Sequence, residues 1–162
     1  AIGRDKDQRV RATAVWAAGS VGDPAALPAL VSALGDADAD VREEAAWAVG
    51  TIGPEQAPAV LLRALEDQDR EVRMSAAWAL FTIADPACTD AIDAAYRKEA
   101  DPEVRKALLR ALGAMGDRSV PALERLVTSP DSSVRTIAIL ALAGGNATGP
   151  WPWPRPRPRP FP

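Results

Sequence analysis

The chain has 162 residues, with 22 acidic against 19 basic side chains, a formal charge of −3, no histidine and one cysteine. Without histidine the commonest general base and metal ligand are missing, and a lone cysteine excludes an intrachain disulfide. Arg155, Arg157 and Arg159 leave the first 149 residues at −6, a balance that argues against a nucleic-acid-binding face.

Ala and Leu dominate and Phe and Tyr are scarce, which predicts helix throughout. No apolar run approaches the length of a membrane-spanning helix, so no membrane partner is expected. Ala1-Ile2-Gly3-Arg4 carries neither an initiator Met nor the apolar stretch of a leader, as expected of a processed end or a cut inside a longer protein. The single cysteine leaves the compartment open, with the cytoplasm favoured. No glycine-rich phosphate loop and no Gly-x-Ser-x-Gly turn occurs, so neither catalysis nor a cofactor is expected.

The first predicted helix starts after Asp7, carries Val10-Arg11 and stops at Gly22-Asp23-Pro24; Leu27 to Leu34 then forms a second apolar segment. The pattern recurs at Val41-Arg42, Val72-Arg73, Val104-Arg105 and Val134-Arg135, each with an Asp three residues before the Val (Asp38, Asp69, Asp101, Asp131). Asp caps the first-turn amides and favours the positive helix end. Glycine closes the helix in a left-handed conformation, and Asp-Pro starts the next. One unit is thus two antiparallel helices, neither able to bury its apolar face alone. The array opens and closes on a Val-Arg helix, and the last, Thr136 to Leu142, is apolar nearly all round. Solenoid ends normally carry a polar outer face, so a covering group is expected there.

Asp38 to Gly53 resembles the HEAT-like repeats of the phycobilisome-lyase type, Asp-x-x-Val-Arg-x-x-Ala-Ala-x-Ala-Leu-Gly-x-Ile-Gly-Asp, and the likeness extends over residues 5–145. The resemblance implies an all-α, right-handed solenoid of about five helical hairpins, with the Val-Arg helices lining its concave side. Such repeats serve as scaffolds, adaptors and, in one branch, pigment-attachment lyases. Metal-dependent hydroxylases on similar repeats use His-Glu pairs, which a chain without histidine cannot form.

At 100° per residue, the positions 4, 7, 8 and 11 after each Val share its face and form the expected core stripe. The position six after Val lies nearly opposite and holds Trp16, Trp47, Trp78, Arg110 and Leu140. Exposed tryptophans in a row suggest a binding surface, although each could instead lie flat over the seam between adjacent helices. Met74 and Phe81 flank Trp78 on that face, and Glu43 and Glu44 flank Trp47 as candidate partners for arginine. The acidic cluster Asp36, Asp38, Asp40, Glu43 and Glu44 is expected to be capping and first-turn acids rather than a metal site. The arginine after each Val should bridge to acids at neighbouring repeat junctions.

The domain organisation expected is a solenoid over 1–145, a linker over 146–149 and a tail over 150–162. The tail alternates strictly with proline, through Trp151, Trp153, Arg155, Arg157, Arg159 and Phe161, a pattern of polyproline II or disorder. Polyproline II advances about 9.3 Å per turn, close to the 8–10 Å spacing of packed helices. The groove is therefore expected to bind an extended Pro/Arg-rich peptide, and this tail can serve in cis or, by self-association, in trans. Trp151 and Trp153 could instead fold over the apolar last helix. Two other readings stay open: a carrier presenting the tail as ligand or as modification or export substrate, and a subunit of a bilin lyase-like complex.

Overall fold

A computed structural model describes residues 5–144. Each long helix begins where an aspartate accepts hydrogen bonds from first-turn amides. Asp38 does so from the Asp40 and Val41 N–H groups, Asp69 from Glu71 and Val72, and Asp101 from Glu103 and Val104; Asp7 and Asp131 cap the first and last long helices. Among the described residues there are nine α-helices and no strand: α1 (Gln8–Val21), α2 (Leu27–Ala33), α3 (Ala39–Ile52), α4 (Ala59–Ala64), α5 (Arg70–Ile83), α6 (Thr89–Lys98), α7 (Pro102–Gly113), α8 (Val120–Leu126) and α9 (Ser132–Leu142).

Gly22 and Gly53 end α1 and α3 with φ of 71° and 63°. At the third repeat Ala84 takes the same left-handed conformation, with φ of 53°. The Asp-Pro starts behave as anticipated, since Asp23 and Asp85 cap short 3₁₀ turns that lead into α2 and α6.

The architecture is an α-solenoid of two layers. The Val-Arg helices α1, α3, α5, α7 and α9 stack on one another, and each short helix packs mainly on the long helix that follows it. The core lies between the layers. Val41, Ala45, Ala48 and Val49 are fully buried, as are Val72, Ala76, Ala79 and Leu80 one repeat later, so in these helices the stripe read from helical periodicity is the core; in α1 it is largely open, with Val10 49% and Val21 78% exposed. Burial extends beyond it to Ala46, Gly50 and Ala77. The long helices lie against each other through glycine and alanine, which brings their flanks out of solvent as well.

Candidate functional site

On α3 the face opposite the core carries Asp40, Glu43, Trp47 and Thr51, each about one turn from the next; Asp40 and Thr51 are exposed, and Glu43 and Trp47 are partly buried, as are Ala39, Arg42 and Ile52 elsewhere on the helix. Trp47 is the centre of that outward face, and Trp16 and Trp78 hold the same place on α1 and α5; all three are partly buried. The local packing explains how an indole sits there. A Cβ built on Gly19 of α1 would stand 2.9 Å from Cζ3 of Trp47, and one on Gly50 of α3 would stand 2.7 Å from Cζ3 of Trp78. Each ring therefore rests in a notch made by a glycine of the preceding long helix, where it covers the seam and keeps part of its surface in solvent.

The notch follows a register rule: the glycine lies three residues after the outward position of its own helix. In α5 that place is Phe81, which is partly buried against the core, and the outward residue of the next helix is Arg110 rather than a tryptophan. Burial lowers the Arg110 pKa, against the opposing influence of Glu103. The indole row thus stops where its glycine seat stops.

Two predicted contact residues are corrected. Met74 is 2% exposed and Glu44 5%, so neither belongs to an open surface. Both lie on helix flanks that a single-helix projection leaves outside and that the close same-layer packing covers. Glu43 is partly buried, at the edge of the outward face. Trp151, Trp153, Arg155, Arg157, Arg159 and Phe161 lie outside the described residues.

The sequence pattern predicts Asp40 only as a capping or first-turn acid; the structure shows it as one of a row completed by Glu71 and Glu103. In the three middle long helices the residue before the Val is an acid, Asp40 in α3, Glu71 in α5 and Glu103 in α7, nearly in line with the tryptophan column and two turns away along each helix; Arg9 and Ser133 stand there in α1 and α9. The recurring acid-Val-Arg triplet was the available signal. Glu71 Oε1 lies 2.6 Å from the Arg70 guanidinium, whose Nε also reaches Asp101 at 3.0 Å. Lys106 donates to Glu103 at 2.8 Å, which raises the lysine pKa. The row is acidic but already partly paired.

The arginine after each Val serves the scaffold. Arg11 makes a two-pronged contact to Asp36 (2.8 and 2.8 Å) and donates to the Asp5 carbonyl; Arg42 does the same to Asp67 (2.8 and 2.9 Å) and the Asp36 carbonyl. Arg73 reaches Glu99 at 2.7 Å and the Asp67 carbonyl at 2.9 Å. At the fourth repeat the matching acid position is Ser129, and Arg105 lies over the Tyr96 ring instead, 5.0 Å from its centroid. These ties join consecutive repeats at their loops, as the sequence suggested.

Chemistry elsewhere is sparse. Cys88 is buried, and burial with Asp85 nearby pushes its thiol up to about 11. A cleft of about 440 Å³ between the second and third repeats is lined by Glu66, Asp67, Arg73, Lys98 and Glu99, with none of the outward column in it; it contains the Arg73–Glu99 and Lys98–Glu66 pairs. Among the described residues no cluster of acids or cysteine could hold a metal ion, and no helix is long and apolar enough to cross a membrane.

The chain is similar to a chain of the CpcE–CpcF complex of phycocyanin lyase from a Nostoc species, at 26% identity and a TM-score of 0.72 over 87% of this chain and 62% of that one. It therefore spans less than two thirds of that relative's length. An engineered protein is 27% identical with a TM-score of 0.65, over 90% of this chain and 76% of that one. A designed armadillo repeat protein in complex with a (KR)4 peptide shares the fold, at 23% identity and a TM-score of 0.62 over 86% and 77%. No curated protein matches the sequence. The HEAT-repeat family matches residues 1–81 and 60–143. With aspartate-capped Val-Arg helices stacked in one layer and short helices in the other, the chain belongs to the HEAT repeat family.

Proposed function

We propose that the chain is a non-catalytic interaction scaffold whose outward, tryptophan-lined face binds an extended Pro/Arg-rich peptide. The observation that carries this reading is the seating of Trp47 and Trp78 on Gly19 and Gly50. Two indoles held on consecutive helices form a pre-organised platform, which loses little side-chain freedom when a ligand stacks on it. Proline rings stack on such faces, and a guanidinium can meet both an indole and a carboxylate. Asp40, Glu71 and Glu103 supply the carboxylates beside the column, Trp16 extends the platform by one helix, and Phe81 with Arg110 ends it. Residues 150–162 have the composition such a face would select.

The test is tryptophan fluorescence of residues 1–149 titrated with a peptide of sequence 150–162 carrying Phe at 151 and 153. A saturable change that disappears in Trp47→Ala supports the reading. No response at millimolar peptide overturns it.

A second reading rests on the likeness to the CpcE–CpcF complex: the chain would be one HEAT subunit of a bilin-handling pair. Flat visible absorbance on addition of a bilin removes it. A third rests on the composition of residues 150–162, with the solenoid as carrier and the tail as ligand or modification substrate. Unmodified tail mass in protein from the native cell counts against its substrate form.

A further inference from the structure

The last long helix exposes what every inner helix hides. Five residues after the core Val stand Val15, Ala46, Ala77 and Leu109, all 0% exposed, yet Ile139 at the same place is 53% exposed. Eight residues after it, Val49, Leu80 and Leu112 are 0% exposed and Leu142 is 36%. The long helices stack one on the next, so each of these buried positions belongs to a helix with a successor in its layer, whereas among the described residues α9 has none. The preceding neighbour is already in place for α9, since a Cβ on Gly113 of α7 would stand 3.0 Å from that of Ala141. The open side of α9 is therefore a truncated repeat interface.

We infer that residues Trp151-Pro152-Trp153 of the same chain dock on this face and act as its cap. At the first two seams of the long-helix layer the covering group is an indole from the next repeat, Trp47 over Gly19 and Trp78 over Gly50. No long helix follows α9 among the described residues, but two tryptophans follow it in the chain. Gly144, with φ of 67°, ends α9 in a left-handed turn, its N–H donating to the Ala141 carbonyl. From there to Trp151 the chain can span roughly 20 Å, whereas the last two turns of α9 are about 11 Å long. The alternating prolines suit a non-helical cover, because each removes an N–H that would otherwise be buried against hydrocarbon without a partner. A tether this short also holds the indoles at an effective concentration of the order of millimolar. The arginines beyond Trp153 stay available to the acidic row.

The experiment compares the full chain with full-chain Trp151→Ala/Trp153→Ala, using methyl-labelled Ile and Leu for NMR and thermal unfolding. The expected result is that the Ile139 and Leu142 methyls show ring-current shifts that vanish in the double variant, with a melting temperature lower by about 5 °C. Trp151→Phe/Trp153→Phe should keep most of that stability. Methyl shifts and melting temperature that do not change overturn the cap. So do changes confined to the Trp47 and Trp78 indole signals, which would put the tail in the groove, and shifts that grow with protein concentration, which would put a second copy on α9.

Discussion

Cζ3 of Trp78 lies 2.7 Å from where a Cβ on Gly50 would stand, and that Cβ would also be 2.7 Å from the Ala79 Cα. One glycine thus sets both the spacing of α3 and α5 and the seat of the outward indole. Gly50→Ala gains up to about 1 kcal/mol of helix propensity. It must also push back a neighbouring backbone, which overpacking data put at about 1–3 kcal/mol. Overpacking wins, and urea unfolding should show a net loss. Gly113→Ala meets only the Ala141 Cβ, at 3.0 Å, and should be close to neutral.

Ala84 pays for a left-handed turn that glycine takes freely, with φ of 53°. Ala84→Gly removes a cost of about 1–2 kcal/mol and gives back part of it through a more flexible unfolded chain. A net gain of about 0.5–1 kcal/mol should appear as a higher denaturant midpoint with an unchanged m-value.

Trp47→Ala should weaken peptide binding by at least about 2 kcal/mol, roughly thirtyfold, if the outward face is the receptor. It should also destabilise the fold, because the ring covers the Gly19 seam. Calorimetric titration well below the melting temperature separates the two effects. Unchanged affinity there removes Trp47 from the binding surface.

The repeat junctions predict an acid limb in the stability curve. The Arg11 hydrogen bond holds the Asp36 carboxyl below its usual range; for Asp67, burial pulls upward but hydrogen bonds from Arg42 and the Asp69 amide prevail. Carboxylates with depressed pKa contribute stability that is present above their unfolded pKa, near 4, and lost as pH falls through the folded value. Stability should be flat near neutrality and drop below about pH 4. In Arg42→Lys the two-pronged contact and the carbonyl bonds cannot all be kept, so the loss of stability should be about 1–2 kcal/mol at neutral pH.

Cys88 should be silent while the fold holds. Its buried thiol, with a pKa near 11, is almost entirely protonated at pH 8 and shielded from reagents. Alkylation at that pH should follow global unfolding, with rates that rise with denaturant. Rapid labelling of the native protein would show that the α6 end opens locally.

Much of this architecture was legible in the residues because it is local. The aspartate three before each Val caps its own helix within one turn, and glycine at 22 and 53 closes the helices by conformational freedom alone. Recurrence of these signals was enough for the repeat, the helix order and the core stripe. The acid-Val-Arg triplets at 40–42, 71–73 and 103–105 are equally local, but their relation to the outward tryptophans two turns away is a property of the helix face and not of the triplet.

The chain alone determined that there are five capped Val-Arg helices, which face of each is apolar and where the tryptophans fall on the opposite side. Only the tertiary structure decided which outward residues stay outward. Met74 and Glu44 lie on flanks that periodicity leaves in solvent, and they are buried because neighbouring long helices close in through glycine and alanine. A helical wheel knows nothing of the helix beside it. Likewise Trp47 and Trp78 depend on Gly19 and Gly50, 28 residues earlier in each case, so their seats exist only once successive repeats have stacked.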